Sequence, residues 1–279
     1  DCHAICRDVE EGKKEMKIRL DLSKDILDGA GIPLKENLEG GFRVVKSFYD
    51  KNKDFIKEMV KKVGKPVLLE MWKDQFFYFI FKYELNFVDA LNKAAALTTD
   101  QIDVENAKRY GIKYMDKDNT HKTPVILHLS PSGAIERVMY ALLEKAHMDS
   151  MKGKRPVLPL WLCPTQVRFI PVSEKFLKDT EKIADKFTSE NIRADVDDRG
   201  ESVQKKIRDS EREWIPFTVV VGEKELKGKK LAVRFRETGK VENVTDSKLI
   251  KNIKEETESM PYKPLPVPKL LTKRPIFVG

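Results

Sequence analysis

The feature that most constrains this 279-residue chain is a change of rhythm at Lys152-Gly-Lys-Arg-Pro156. Ahead of that polar break, strand-like segments follow one another at 42–49, 66–72, 76–88, 94–104 and 123–129. Helical periodicity runs at 5–30, where Gly29 and Gly31 close it, and again at 51–63 and 134–147. Several long strands in succession favour a largely antiparallel sheet with helices packed on it. Behind the break, strand and helix alternate strictly. Strands are expected at 166–171, 192–196 and 217–221, helices at 173–190, 202–213 and 246–258, and a hairpin over 223–236 turned at Lys227-Gly228. The fold class is therefore α/β in the broad sense (α+β): two domains, 1–155 and 156–279, the second compact with a mixed sheet. A Pro-rich tail from Pro261 to Pro275 is expected to lie extended on the surface.

Composition enters as exclusion. Hydrophobic residues are 41% of the chain and charged residues 35%, and no run approaches the roughly 18 apolar residues that a membrane span needs. The richest stretch, from Phe76 to Phe81, stops at Lys82 and reads as a buried strand. A net charge of +8 suits a polyanionic partner without demanding one. Three cysteines are too few for a disulfide framework and suit a reducing, cytoplasmic setting. Cys163, in an apolar run, is expected as a small core residue. The chain opens on Asp-Cys-His without an initiator Met or targeting segment, as a piece of something longer would.

By motif alone the chemistry is sparse: no P-loop, HExxH, paired CxxC or nucleophile elbow is present. Cys2-His3-x-x-Cys6 has metal-ligating residue types at a spacing that fits no common zinc module. More informative is the run Pro124-Val-Ile-Leu-His-Leu-Ser-Pro-Ser-Gly-Ala-Ile-Glu-Arg137, where a strand meets a Gly-containing turn and a helix opens on Glu-Arg. It resembles motif 3 of class II aminoacyl-tRNA synthetases. With His-Lys-Thr-Pro-Val-Ile-Leu-His, Leu-Pro-Leu-Trp-Leu-Cys-Pro-Thr-Gln-Val-Arg, Asp-Cys-His-Ala-Ile-Cys and Thr-Asp-Gln-Ile-Asp103, the whole chain is similar to the C-terminal part of threonyl-tRNA synthetases, closest to the archaeal form.

The resemblance implies the activity and its groups: ATP-dependent ligation of L-threonine to tRNA(Thr) through threonyl-adenylate. Arg137, Glu136 and Gly133 would bind ATP with its Mg2+, a fixed guanidinium being able to stack on adenine while countering phosphate charge. His3 and His128 match the two histidine ligands of the family's catalytic zinc, whose cysteine ligand would lie upstream of Asp1. Such a metal keeps an open position for the substrate's amino and hydroxyl groups, which rejects valine but not serine. Asp1, Gln101 and Glu84 match substrate-binding positions, and Gln101, Lys82 and Arg137 catalytic ones. Ala134 stands where bacterial members carry serine. Motif 1 and the motif 2 arginine would also lie upstream, so the chain alone is expected to be inactive, and the full-length protein to be a homodimer.

The second domain resembles the class IIa anticodon-binding domain, with 25 Lys/Arg against 20 Asp/Glu after Arg155. Threonine anticodons end in GU; Glu225 and Arg234 match the family's residues that read those bases, a carboxylate facing guanine donors and a forked arginine being suited to splayed-out bases. Gly200 stands where bacterial members have a contacting asparagine, with Asp197, Asp198 and Arg199 beside it. The competing expectation is a non-catalytic paralogue that binds tRNA for editing or regulation in trans. Retention of His3, His128 and Arg137 together argues against it.

Overall fold

The computed structural model describes residues 1–275, in two compact units that divide between Met148 and Asp149. The first unit carries, in chain order, β1 (Cys2–Cys6), α1 (Val9–Gly29), α2 (Leu34–Asn37), β2 (Leu38–Val45), α3 (Lys46–Lys51), α4 (Lys53–Val63), β3 (Val67–Trp72), β4 (Phe79–Val88), β5 (Ala94–Asp103), α5 (Asn106–Arg109), β6 (Tyr114–Met115), β7 (His121–Lys122), β8 (Val125–Ser130) and α6 (Ile135–Met151). Helix α6 overruns the division, which accordingly falls earlier than the polar break at 152. Six strands form one sheet in the order β1-β8-β5-β4-β2-β3, antiparallel except for the β2–β3 pair; β6 and β7 form a separate ribbon.

Alternation along β4 explains why one face of this sheet is free for chemistry. Phe79, Phe81, Tyr83, Leu85 and Phe87 point inward, while Ile80, Lys82, Glu84 and Asn86 point the other way. The inward set packs against Met16, Leu20 and Leu27 of α1 and Phe55, Ile56, Met59 and Val63 of α4, each a stripe at helical spacing. Phe42 and Phe55 each meet Phe81 edge to face at 5.4 Å. Each fully buried side chain of this size contributes about 1.5–3 kcal/mol. Through this core runs one ion pair. Arg19 of α1 donates to Asp100 of β5 at 2.9 Å and to the Cys2 carbonyl of β1 at 2.5 Å, both side chains being buried. Removing one partner of such a pair costs about 3–5 kcal/mol.

Three expected elements differ in detail. The helix at 5–30 merges two elements: residues 2–6 pair with β8 in full, and the helix starts at Val9, where the Asp8 carboxylate accepts the Glu11 N–H at 2.8 Å. The strand at 42–49 stops at Val45, because the chain turns into α3 and buries Phe48 against Phe55 and Phe81. Phe76 and Phe77 lie outside β4, exposed, where they meet the Trp72 ring instead of the ladder. Within β4–β5 the register shifts between Phe79 and Phe81 and again between Leu85 and Asn86, leaving residues 81–85 in unbroken pairing with 98–102.

The second unit carries β9 (Val167–Pro171), α7 (Leu177–Ser189), β10 (Ala194–Val196), α8 (Val203–Arg212), β11 (Phe217–Val221), α9 (Glu223–Gly228), β12 (Leu231–Phe235), β13 (Val241–Val244) and α10 (Asp246–Glu256). Its mixed sheet has the order β10-β9-β11-β12-β13, with β9 parallel to both neighbours and the last two strands antiparallel. Central β9 is buried along its whole length, as a strand covered on both faces must be. One face buries Val167, Phe169 and Val219 with Phe187 of α7 and Leu249 and Ile253 of α10. The other carries a polar register row, Asp195–Arg168–Thr218–Arg234. Arg168, fully buried, pairs with Asp195 and with Glu213, both at 2.8 Å. Cys163 is buried, as expected.

The hairpin expected over 223–236 is a correction. Residues 223–228 form α9, and the hairpin joins β12 to β13 further on. Lys227-Gly228 reads as a turn, but a helix ends on the same residues, and Lys229 follows it in the left-handed region at φ 52°. The tail lies along the surface, where Leu270 bridges Val196 at the edge of β10 and a 3-10 turn follows at Leu271–Lys273.

Candidate functional site

On the open face of the six-stranded sheet, one register row crosses every strand: His3 of β1, His128 of β8, Gln101 of β5, Lys82 of β4, Arg43 of β2 and Glu70 of β3. A parallel row runs Ser130–Thr99–Glu84–Gly41–Leu68. Five expected residues, His3, His128, Gln101, Lys82 and Glu84, are thus brought onto one surface by pairing alone. Opposite residues in such a ladder have Cβ atoms about 4.5–5.5 Å apart, so neighbours along a row interact directly.

At the β1 end, the His3 and His128 rings meet edge to face with centroids 5.0 Å apart. Nε2 of His128 lies 2.7 Å from a carboxylate oxygen of Asp103. Burial works against ionisation of Asp103, but the Asn106 N–H, His128 and the Glu105 N–H outweigh it and hold the carboxyl below its usual range. An ionised Asp103 accepts a hydrogen bond from Nε2–H, which leaves the Nδ1 lone pair of His128 free to bind a metal. Two imidazoles with an orienting carboxylate fit part of a zinc site. Among the described residues, no group of three or more His, Cys, Asp or Glu side chains comes together as a metal cage.

Beside His128, the Tyr78 hydroxyl donates to the Gln101 side-chain oxygen, and its ring centroid is 5.8 Å from that of His128. Burial and the Asp103 charge raise the Tyr78 pKa. Tyr78, Asp103 and Arg43 are site residues that sequence reasoning missed. Tyr78 was hidden in an apolar run; its one signal is a hydroxyl among five phenylalanine and isoleucine neighbours. Further along the row, Lys82 pairs with Glu84 at 2.6 Å, and Arg43 spans Glu84 at 3.2 Å and Glu70 at 2.8 Å.

A cleft of about 580 Å³ adjoins the second row, lined by Asp1, Thr99, Ser130, Gly133 and Arg137. Its turn requires glycine twice over. Gly133 has φ +78°, and a Cβ there would sit 2.5 Å from the Leu97 carbonyl oxygen. Arg137 and Glu136 lie exposed in the first turn of α6, with one Arg137 nitrogen donating to the Ala96 carbonyl at 2.9 Å.

In the second unit the two expected base readers are not brought together. The Glu225 carboxylate accepts the Gly222 N–H at 3.0 Å, capping the α9 it belongs to. Arg234 is opposite Thr218, near the start of β11, and lies 3.7 Å from Glu211 of α8; Glu225 comes after the other end of that strand. Lys224, Lys229 and Lys230 form no ion pair among the described residues and remain available cations. Gly200 is exposed, with nothing within 4 Å of an added Cβ.

Residues 166–256 match a family model described as an anticodon binding domain. Over the whole chain, the threonine–tRNA ligase of Pyrococcus horikoshii is 54% identical, and over 99% of it that of Nitrosopumilus maritimus is 51% identical. The chain spans 44% of the length of each of these curated relatives. Among solved structures, the RNA binding domain of threonyl-tRNA synthetase from Cryptosporidium parvum Iowa II superposes with a TM-score of 0.73 at 23% identity, covering 94% of this chain and 63% of that one. That likeness is one of fold.

Proposed function

This chain is similar along its whole length to part of the threonine–tRNA ligases, and from that premise we propose that it supplies part of the aminoacyl-activation site and the tRNA-reading domain of such an enzyme. The observation that carries the reading is the row that aligns His3, His128, Gln101 and Lys82 beside the glycine-dependent cleft of Arg137. Residues scattered over most of the first unit converge on one face, where a solvated strand surface would need no such convergence.

In this reading each side chain has a task. Zinc held by His3 and His128, with its third donor outside the described residues, would supply a Lewis-acid contact to the substrate's amino and hydroxyl groups. Asp103 fixes the His128 tautomer, and the Tyr78–Gln101 pair offers a hydroxyl and an amide beside it for a small polar substrate. Asp1 lines the cleft from the end of β1, next to Ser130 and Thr99. Arg137 keeps most of its guanidinium free for an adenine face and phosphate oxygens at the cleft mouth, with Mg2+ arriving on the ATP. Lys82, balanced by Glu84, presents a cation to the same face. In this reading Arg137 and Mg2+ counter only part of the phosphate charge that develops in the transition state, so the 279-residue chain alone should lack threonine-dependent ATP–pyrophosphate exchange.

The second unit reads the anticodon in this proposal, through Glu225 and Arg234 with phosphate contacts from neighbouring lysines. Glu225 must leave its cap, and Arg234 its loose pairing with Glu211, to reach bases. The test is filter binding of the chain to threonine tRNA and to a variant with the central anticodon G changed. Preference for the GU-ending anticodon at moderate salt is expected. Equal binding of the two removes the anticodon assignment, and exchange at the rate of a complete synthetase removes the placement of the activation groups.

A further inference from the structure

The end of the chain is fastened to the second unit at several points. Residues 267–274 run beside the outer edge of β10, where the Val196 N–H donates to the Lys269 carbonyl at 2.9 Å. Lys269 reaches Asp185 of α7 at 2.7 Å and Glu181 at 3.4 Å. Arg274 donates to Asp195 at 2.7 Å, joining the buried Arg168 pair. Thr272 donates its backbone N–H, at 2.9 Å, and its hydroxyl to the two carboxylate oxygens of Asp198.

Asp198 belongs to the loop 197–201 that leaves β10. Its neighbour Asp197 is buried and held from inside the unit, by Arg199 at 2.7 Å and by Lys206, which donates to its carbonyl at 3.0 Å. The Asp198 carboxylate is held instead from the tail, and Thr272 is its partner among the described residues. Because β9, β10 and β11 are parallel, the segments that follow all three emerge at one edge of the sheet. In open parallel sheets that carboxyl edge is where ligands are taken. Lys224 lies there, unpaired, just beyond β11.

We propose that the strap 267–274 is a positioning element for RNA recognition: by gripping Asp198 it fixes loop 197–201 at the carboxyl edge of the parallel strands, the edge beyond which Lys224 and Glu225 lie. It rests on the reading of the second unit as an anticodon-binding domain. Base-specific contacts need a loop held in place before binding, since ordering it during binding costs conformational entropy. Phosphate contacts are less demanding, because they depend on charge and not on base geometry. The strap therefore governs the ratio of affinities between anticodons more than the affinity for RNA in general. Thr272 is a positioning residue, acting through Asp198.

The experiment compares the 279-residue chain with Thr272→Val and Thr272→Ser, using threonine tRNA and the tRNA with its central anticodon G changed. Thr272→Val should cut the preference for the GU-ending anticodon about tenfold, the scale of one hydrogen bond to a charged group. Binding of the changed tRNA and its salt dependence should stay as in the parent. Thr272→Ser, which keeps the hydroxyl, should retain the preference. Amide hydrogen exchange in 197–201 should speed up in Thr272→Val without RNA present. A folded Thr272→Val protein with the parental preference and parental exchange overturns the proposal. So does a uniform loss of both affinities together with thermal stability, which would make the strap merely structural. If the parent itself shows no preference, the anticodon reading fails first; unchanged exchange in Thr272→Val then removes the strap's grip as well.

Discussion

His3 and His128 face each other across a single rung of the β1–β8 ladder, their rings 5.0 Å apart at an interplanar angle of 76°. The two come from opposite ends of the first unit, and only the backbone pairing of Cys2–Cys6 with Val125–Leu129 brings them together. The Asp103 carboxylate behind His128 makes this more than a chance meeting of rings, since it fixes which nitrogen is free.

A first expectation concerns metal. Titration with Co2+ or Zn2+ should reveal weak binding that is lost in His3→Ala and in His128→Ala. Asp103→Asn should weaken it about tenfold, the lower end of effects seen for orienting partners. Histidine variants that bind the ion as tightly as the parent would remove the assignment.

A second concerns two glycines of opposite character. Gly133→Ala combines a left-handed backbone with a Cβ 2.5 Å from the Leu97 oxygen, and should destabilise the first unit by about 2 kcal/mol or more. Gly200→Asn meets no atom within 4 Å and should change stability by less than about 0.5 kcal/mol. Urea denaturation of both variants decides the matter, and equal costs would contradict the geometry.

A third concerns acid. Asp89 closes the β4–β5 turn by accepting the Leu91 and Lys93 N–H groups, both at 2.8 Å, and the Tyr140 hydroxyl at 2.7 Å. The Lys93 N–H and that hydroxyl hold the carboxyl below its usual range. A depressed folded-state pKa gives stability that is present above the unfolded value near 3.9 and lost as pH falls through the folded one. Asp89→Asn should therefore lower the urea midpoint at neutral pH and flatten the acid limb of the stability curve. An unchanged limb in that variant would show that the carboxyl titrates normally.

A fourth separates charge from base reading. Lys229→Ala and Lys230→Ala should weaken all tRNAs about equally. Each should also lower the salt slope by about 0.7 for every phosphate the protein no longer touches, the single-strand value. Glu225→Gln or Arg234→Met should instead lose anticodon preference, by about 1–3 kcal/mol per base read. Circular dichroism should accompany Glu225→Gln, because that residue also caps α9. Loss of preference in the lysine variants with none in the other pair would reverse the assignment.

Much of the fold was legible in the chain because period-2 and period-3.6 patterns are local. The ladders of β4, β5 and β8, and the stripes of α1 and α4, follow from which side chains must be buried. The site was legible only by resemblance. Nothing in Lys82 or Gln101 alone says that they are opposite each other, since register is decided by two strands jointly. Tyr78 and Asp103 stayed hidden because their role depends on neighbours brought in from other strands. The hairpin at 223–236 failed for a different reason: Lys-Gly marks a turn and a helix end equally well, and the Glu225 cap that decides for the helix is a backbone contact.

The two register shifts in the β4–β5 ladder have an evolutionary consequence. Between them, residues 81–85 and 98–102 are locked in phase, and a single residue inserted after Lys82 would flip the rest of that stretch of β4, turning Glu84 into the core and driving Tyr83 and Leu85 toward solvent. Outside them, at Ile80 or beyond Leu85, an extra residue can be absorbed as slack, since the strand already changes step there. Length variation among relatives should therefore collect at the two ends of this ladder and avoid its middle, so that the strands can be lengthened or shortened while the row of polar side chains keeps its place.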